Sequence, residues 1–318
     1  MRIFIAGATG TLGRPVVRRL VSLGHEVVGL TRTEKGTRAL EAAGARGVIG
    51  DALDREELRA AVVAARPEQV LHLLTALPPV ILRARHLEAT NHLRIMGTPN
   101  LIEAAVAAGA RRIVAESFVG VYGKARFDHP ATEDEPLPPV GHGTLRQTVA
   151  ALRTMEEQLR AAREEGRIDT VVLRLGFLYG PDVPSTRDFV EQARAGKLAA
   201  PVLPGLAANL QIDDAASAIL AAIERPRVSP VYNVVDDEPM PLQENLTLLA
   251  QAVGARPPRL LPGWLVRFAA PVVAELGSMR LVLSNAKARR ELGWAPRYPN
   301  ARAGLVELSR ALKVKEAA

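Results

Sequence analysis

The residues of this chain best equipped for chemistry begin with three glycines. Gly7, Gly10 and Gly13 stand in Gly7-Ala8-Thr9-Gly10-Thr11-Leu12-Gly13, directly after the apolar run Arg2-Ile3-Phe4-Ile5-Ala6. Glycine at the first position permits a tight turn, at the second lets a pyrophosphate approach bare backbone, and at the third lets a helix sit close to the strand. Free N–H groups and the positive end of the helix dipole then face the phosphates. That chemistry is dinucleotide binding, and the strand before and helix after the turn supply the context the motif requires. Thr31-Arg32 closes the next strand. A carboxylate there would take a ribose 2′-OH, whereas an arginine suits a 2′-phosphate, so NADP is expected over NAD. The bland reading of Arg32 is a surface charge. At the third strand end, Gly50-Asp51-Ala52 offers a carboxylate for an adenine amino group or an ordinary turn residue, and Asp54 can cap a helix.

The elements that must position these groups alternate regularly. Strands are expected at residues 2–6, 25–30, 47–49, 69–74, 112–115 and 170–173, with apolar helical stripes between them such as Leu12, Val16, Val17, Leu20 and Val21. Regular alternation predicts an α/β fold, a Rossmann-type doubly wound parallel sheet with right-handed crossovers. His72, inside the fourth strand, reads as a core residue. Beyond residue 174 the pattern loosens into short helices and proline turns, which suits a smaller C-terminal substrate-capping domain. The expected division is 1–174, completed by segments around 208–236, and 175–318 as mainly the cap.

Composition excludes several classes. With 318 residues a sizeable core is available, and with no cysteine there is no disulfide, thiolate metal site or cysteine nucleophile. No early apolar run has the flanks of a secretory signal, and no apolar segment is long enough to span a bilayer, so a cytoplasmic protein without a membrane partner is expected. The net charge of +7 raises the question of nucleic acid, but the cations are scattered among acidic neighbours and read as a solvated surface, so no nucleic acid is expected. Asp213-Asp214 reads as helix capping, and no close cluster argues for a metal. Pro262 to Val273 is the most apolar stretch outside the sheet and reads as a packed lid over an apolar pocket, or a subunit contact in a homodimer, rather than a membrane-lying helix. A fraying tail is expected from Lys313.

Taken together, the glycine turn, Gly50-Asp51, Gly97-Thr98-Pro99-Asn100, Val121-Tyr122-Gly123, Glu133-Asp134-Glu135-Pro136, Leu173-Arg174 with Tyr179-Gly180-Pro181, Ile212-Asp213-Asp214, Tyr232-Asn233-Val234 and Asn285 to Pro296 run in one order from end to end. In this the chain resembles the extended short-chain dehydrogenases/reductases, the group of NAD-dependent epimerases and dehydratases. The resemblance implies a nicotinamide cofactor and a small hydroxyl- or carbonyl-bearing substrate. It also implies a Tyr-x-x-x-Lys pair on the helix after the fifth strand, a Ser or Thr at that strand's end and an Asn on the preceding helix.

Those positions are altered. Aligning the family glutamate with Glu157 puts Arg153 at the lysine and Val149 at the tyrosine; Phe118 falls at the Ser/Thr site, with Ser117 beside it, and Arg94 at the Asn, with Asn91 one turn away. Valine transfers no proton, and arginine stays protonated, so Arg153 can bind ribose but not act as a base. Ser117, Tyr122 and His142 are the remaining candidates for proton transfer, each with a bland reading as a hydrogen-bonding, packing or loop residue. The catalytic set expected is Ser117, Tyr122 and Arg153. The cofactor set is Gly7, Thr9, Gly10, Thr11, Leu12, Gly13, Arg32, Asp51, Ala52, Leu74, Thr75 and Arg153. The expectation is an atypical NADP-preferring oxidoreductase or epimerase, with a catalytically silent NADPH sensor as the alternative.

Overall fold

The computed structural model describes residues 1–317, with side chains through Leu312; the side chains of the tail from Lys313 lie outside the described residues. The first half alternates as the sequence pattern requires: β1 (Arg2–Ala6), α1 (Gly13–Ser22), β2 (Glu26–Thr31), α2 (Glu34–Ala42), β3 (Arg46–Ile49), α3 (Arg55–Ala65), β4 (Gln69–His72), α4 (Glu88–His92), α5 (Thr98–Ala107), β5 (Arg112–Phe118), α6 (Arg146–Glu164) and β6 (Asp169–Leu175). There follow β7 (Phe177–Tyr179), α7 (Pro184–Arg194), β8 (Ala199–Val202), β9 (Asn209–Gln211), α8 (Ile212–Glu224), β10 (Val231–Val234), α9 (Leu242–Ala252), β11 (Arg259–Pro262), α10 (Gly263–Ala269), α11 (Pro271–Leu276) and α12 (Ala301–Ala317).

Seven parallel strands form one sheet in the order β10-β6-β5-β4-β1-β2-β3. The order reverses between β1 and β4, and a crevice at such a reversal is where a doubly wound sheet binds its ligand. Strands covered on both faces must be apolar throughout, and Ile3, Phe4 and Ile5 are fully buried. Ile3 and Ile5 join Val16, Val17 and Leu20 of α1 and Ile219 of α8 on one face. Phe4 joins Leu58, Leu101 and Met155 of α3, α5 and α6 on the other. The C-terminal part adds two short parallel pairs, β7 with β9 and β8 with β11, over a separate apolar cluster that includes Val190, Leu246, Leu249 and Leu305.

Several boundaries differ from the sequence reading. β4 ends at His72 instead of Leu74, because Leu73 and Leu74 follow Gly7 around the crevice, whereas β5 and β6 extend to Phe118 and Leu175. Asp213 and Asp214 do not cap α8. Gln211 accepts from the Asp213 N–H, Asp213 pairs with Arg19 at 3.2 Å, and Asp214 accepts from the N–H groups of Arg297 and Tyr298 at 3.0 Å each. The apolar stretch from Pro262 is only partly packed: Val266 and Val272 are buried, but Trp264 is 71% and Phe268 85% exposed. These two residues, four apart on α10, share the face that points away from the protein. No described helix is long and apolar enough to cross a membrane.

Candidate active site

The glycine turn has the geometry its sequence demands. Gly7 adopts φ +96°, and a Cβ there would stand 2.1 Å from the Leu73 carbonyl oxygen. A Cβ on Gly13 would stand 2.2 Å from the Gly7 carbonyl oxygen, so the start of α1 rests on the turn. Gly10 differs: its N–H donates to the Gly7 carbonyl at 3.0 Å, and a Cβ would meet only that oxygen, at 3.1 Å. Gly10 therefore faces open space at the strand ends. No side chain caps α1 among the described residues, leaving its first N–H groups available to an anion. The turn fits a dinucleotide pyrophosphate.

Around the crevice, Thr31 is buried and Arg32 is exposed, with no hydrogen-bond or ion-pair partner for the Arg32 side chain among the described residues. Thr33 caps α2 through the Gly36 N–H at 3.1 Å. Asp51 accepts from the Leu53 N–H at 2.9 Å, shaping its own turn, while Asp54 caps α3 through the N–H groups of Glu56 and Glu57. The Ala52 carbonyl accepts from Asn100 Nδ2 at 3.1 Å, which ties this turn to α5. Leu74 is half-buried and Thr75 exposed beyond the end of β4.

Beneath the crevice lies a buried polar network. Ser117 Oγ donates to Glu156 Oε1 at 2.6 Å, and Arg174 donates to the same carboxylate, with Nη2 2.7 Å from Oε2. Arg174 Nη1 also donates to the Tyr122 hydroxyl at 2.9 Å, which lies 2.9 Å from Asn233 Oδ1 and 3.2 Å from the Thr132 carbonyl. Burial opposes the Arg174 charge, but Glu156 outweighs it and the net shift is upward. Burial also raises the Tyr122 hydroxyl pKa, against the pull of Arg174. Tyr122 is 1% exposed and every hydrogen-bonding direction of its hydroxyl is occupied, so the expected proton donor sits in the core. Arg153 also lies elsewhere than expected. It donates to the carbonyls of Val121, at 3.1 Å from Nη2, and Pro138, and lines a cavity of about 530 Å³ between α6 and the β6–β10 edge of the sheet, together with Glu156, Arg160, Val172, Arg174 and Val231. His142 is exposed in its loop.

Further buried polar residues lie beside this network. A π-helical turn, Leu93–Gly97, separates α4 from α5, and turns of this kind often mark functional sites. It allows both Asn91 and Arg94 to be buried. Asn91 Nδ2 donates to Thr148 Oγ1 of α6 at 3.1 Å, while Asn91 Oδ1 is buried without a partner among the described residues. Burial lowers Arg94 to about 10, with Glu116 and Glu156 opposing, and raises Glu116 to about 7, with Arg94 opposing. His72 Nε2 lies 2.8 Å from Thr98 Oγ1, and burial lowers the ring to about 4, so it is neutral at pH 7. At the end of β5, Phe118 packs edge-on against Phe177, with ring centroids 5.0 Å apart, forming an aromatic wall. Glu156 and Glu157 are indistinguishable by type in the sequence; the buried one is Glu156, while Glu157 is exposed and paired with Arg160.

Residues 3–235 match the family model described as the NAD dependent epimerase/dehydratase family. A 3-diazoavenalumate denitrifying reductase from a Streptomyces species is 41% identical over 317 residues, covering 96% of this chain and 99% of that protein. The fold is shared with the UDP-glucose 4-epimerase of Thermotoga maritima, solved with UDP-glucose, at a TM-score of 0.82 and 22% identity over 99% of this chain and 100% of that one. It is also shared with the UDP-glucose 4-epimerase of Thermus thermophilus, solved with NAD, at 0.80 and 23% over 98% and 99%. The silent-sensor reading gives way to an enzyme of oxidoreductase or epimerase type that uses an NAD(P) cofactor and acts on a small molecule. The chain belongs to the NAD dependent epimerase/dehydratase family.

Proposed function

We propose that this protein is an NADPH-dependent reductase for a small aromatic carboxylate whose reduction needs no protein acid, and that a diazonium-bearing acid is its substrate class. The carrying observation is the pair Asn91–Thr148. With Glu156 as the family glutamate, the tyrosine position of α6 falls on Thr148 and the lysine position on Leu152, so the usual proton-transfer pair is absent. A threonine hydroxyl can orient a substrate through hydrogen bonding but does not supply a proton as an activated tyrosine does. Bound NADPH supplies hydride. Replacing a diazonium group by hydrogen, R–N₂⁺ + H⁻ → R–H + N₂, expels a neutral gas and builds no alkoxide, so the altered site suits it. The aromatic wall of Phe118 and Phe177 suits a flat substrate. The name of the Streptomyces reductase, with its diazo carboxylate, supports the same class.

In this reading Gly7, Gly10, Gly13 and the free N–H groups of Thr11 and Leu12 hold the pyrophosphate, Asp51 and Ala52 border the adenine, Leu74 and Thr75 line the ribose side, and Arg32 takes the 2′-phosphate. Thr9 completes the turn by accepting from Arg14 Nε at 2.9 Å through its carbonyl. Ser117, Tyr122 and Arg153 are positioning residues that brace β5, α6 and the loop between them. The dinucleotide unit is residues 1–174 with 208–236, and the remainder forms the substrate cap.

The test is to mix the purified protein with NADPH and a freshly prepared diazonium derivative of an aromatic acid, following cofactor oxidation and N₂ release against an enzyme-free control. With cofactor deuterated at C4, one deuterium should appear at the carbon that carried the diazonium. Cofactor oxidation with 3-oxo acids, and none above control with the diazonium, would overturn the substrate class in favour of a ketoreductase.

A further inference from the structure

A second cleft, of about 460 Å³, opens between the loop after Tyr122 and the α10–α11 pair. Its cationic groups are Lys124, Arg126, Arg267 and Arg280, and Ala125, Pro204, Pro271 and Ala274 give it apolar walls. Glu275 is the acidic residue lining it, and its carboxylate is already committed. Oε2 accepts from the N–H groups of Thr144 and Leu145, at 2.5 and 3.3 Å, and Oε1 pairs with Lys124 Nζ at 3.2 Å. Arg126, Arg267 and Arg280 have no acidic partner among the described residues. Three uncompensated guanidinium groups around a partly apolar cleft make a local field that attracts an anion.

The position of the cleft ties it to the chemistry. Thr144 lines it, in the turn that leads into α6, and Thr148 stands in the first turn of that helix. Glu275 ties the residues that lead into α6 to α11, so the cleft adjoins the end of α6 that carries Thr148. A guanidinium fork matches the two oxygens of a carboxylate, and the volume suits a molecule of drug size.

We propose that this cleft is the carboxylate-recognition site of the substrate, with Arg267 and Arg280 as the specificity-determining pair and Arg126 as a steering charge. The inference rests on the reading of a carboxylate substrate but not on turnover of a diazonium. Binding can therefore be measured without chemistry, by calorimetric titration of the full protein, saturated with NADP⁺, with cinnamate and with its neutral isostere cinnamamide.

Wild type should bind cinnamate about tenfold or more tighter than cinnamamide, the scale of one charge-assisted contact. The double variant Arg267→Met/Arg280→Met should bind the two within about twofold, while retaining its NADP⁺ affinity and thermal midpoint. Arg256→Met/Arg259→Met, which removes equal charge outside the cleft, should keep the wild-type preference. Equal binding of the two probes by wild type, no binding of cinnamate, or an unchanged preference in the cleft variant would overturn the assignment. A cinnamate preference in a protein inert towards diazonium acids would leave this site standing and sink only the proposed reaction.

Discussion

Ser117 Oγ lies 2.6 Å from Glu156 Oε1, and through this contact the end of β5 is fastened to the inner face of α6. Arg174 of β6 reaches the same carboxylate, so three neighbouring elements converge on one buried charge.

Removing that charge leaves the Arg174 guanidinium buried with only the Tyr122 hydroxyl and a neutral amide near it. Glu156→Gln is expected to lower the unfolding free energy by about 3–5 kcal/mol, the usual effect of breaking a buried pair from one side. Ser117→Ala, which removes a single donor, should cost about 1–3 kcal/mol. Urea unfolding of the variants checks both, and equal losses would show that the ion pair is not the dominant contact.

Gly10 and Gly13 should respond differently to the same methyl group. At Gly13 the Cβ meets the Gly7 carbonyl oxygen at 2.2 Å, so Gly13→Ala should destabilise the fold by about 1–3 kcal/mol as well as weaken cofactor binding. At Gly10 nothing but that oxygen is near, at 3.1 Å, so Gly10→Ala should retain most of its stability and lose cofactor affinity. Thermal unfolding with and without NADPH separates the two effects. A Gly10→Ala protein that binds NADPH normally would mean that the pyrophosphate does not lie on this turn.

The contrast between the two glycines shows how much was legible beforehand. The glycine turn and the doubly wound parallel sheet follow from glycine spacing and apolar alternation, which are local signals. The face of α6 was not legible. Glu156 and Glu157 satisfy the family pattern equally, and only packing decides that Glu156 turns inward. On the proposed reading, that one-residue difference moves the tyrosine position from Val149 to Thr148. Tyr122 was misleading for a related reason: a tyrosine near a strand end can serve chemistry or a core network, and its contacts with Arg174 and Asn233 come from residues 52 and 111 positions away.

On the proposed reading Thr148 serves the substrate and Tyr122 only the core network, so their variants should differ in turnover. Tyr122→Phe leaves Asn233 Oδ1 without its donor and should cost about 1–3 kcal/mol, with kcat of the folded protein nearly unchanged. Thr148→Val should also cost about 1–3 kcal/mol, because buried Asn91 Nδ2 loses its partner, and on the proposed reading it should in addition raise KM in the folded protein. A large loss of kcat in Tyr122→Phe, without loss of stability, would restore Tyr122 as a proton donor.

Arg32 stands at the end of β2 without a partner of its own among the described residues. On the proposed reading, Arg32→Glu replaces the partner of a 2′-phosphate with a repelling charge that can accept from a 2′-OH. The ratio of kcat/KM for NADPH over NADH should fall by about 10- to 100-fold, the range of one charge-assisted hydrogen bond. An unchanged ratio would mean that Arg32 is only a surface charge.

Asp236 governs the last prediction. It follows β10, is 3% exposed, and neither carboxylate oxygen has a partner among the described residues. Burial, reinforced by Asp237, Glu238 and Asp214, raises its pKa from 3.8 to about 8 despite a lowering contribution from the backbone at Asn209. The folded protein thus holds a proton between pH 4 and 8 that the unfolded chain has released, so this group's contribution to stability falls as pH rises through that window. Asp236→Asn removes the titration while keeping the shape. The variant should be more stable than wild type at pH 8 by an amount on the order of several kcal/mol, and the difference should shrink steadily towards pH 4. Denaturant titrations at pH 5, 6.5 and 8 measure this, and parallel pH profiles for the two proteins would show that Asp236 is ionised and solvated in the native state.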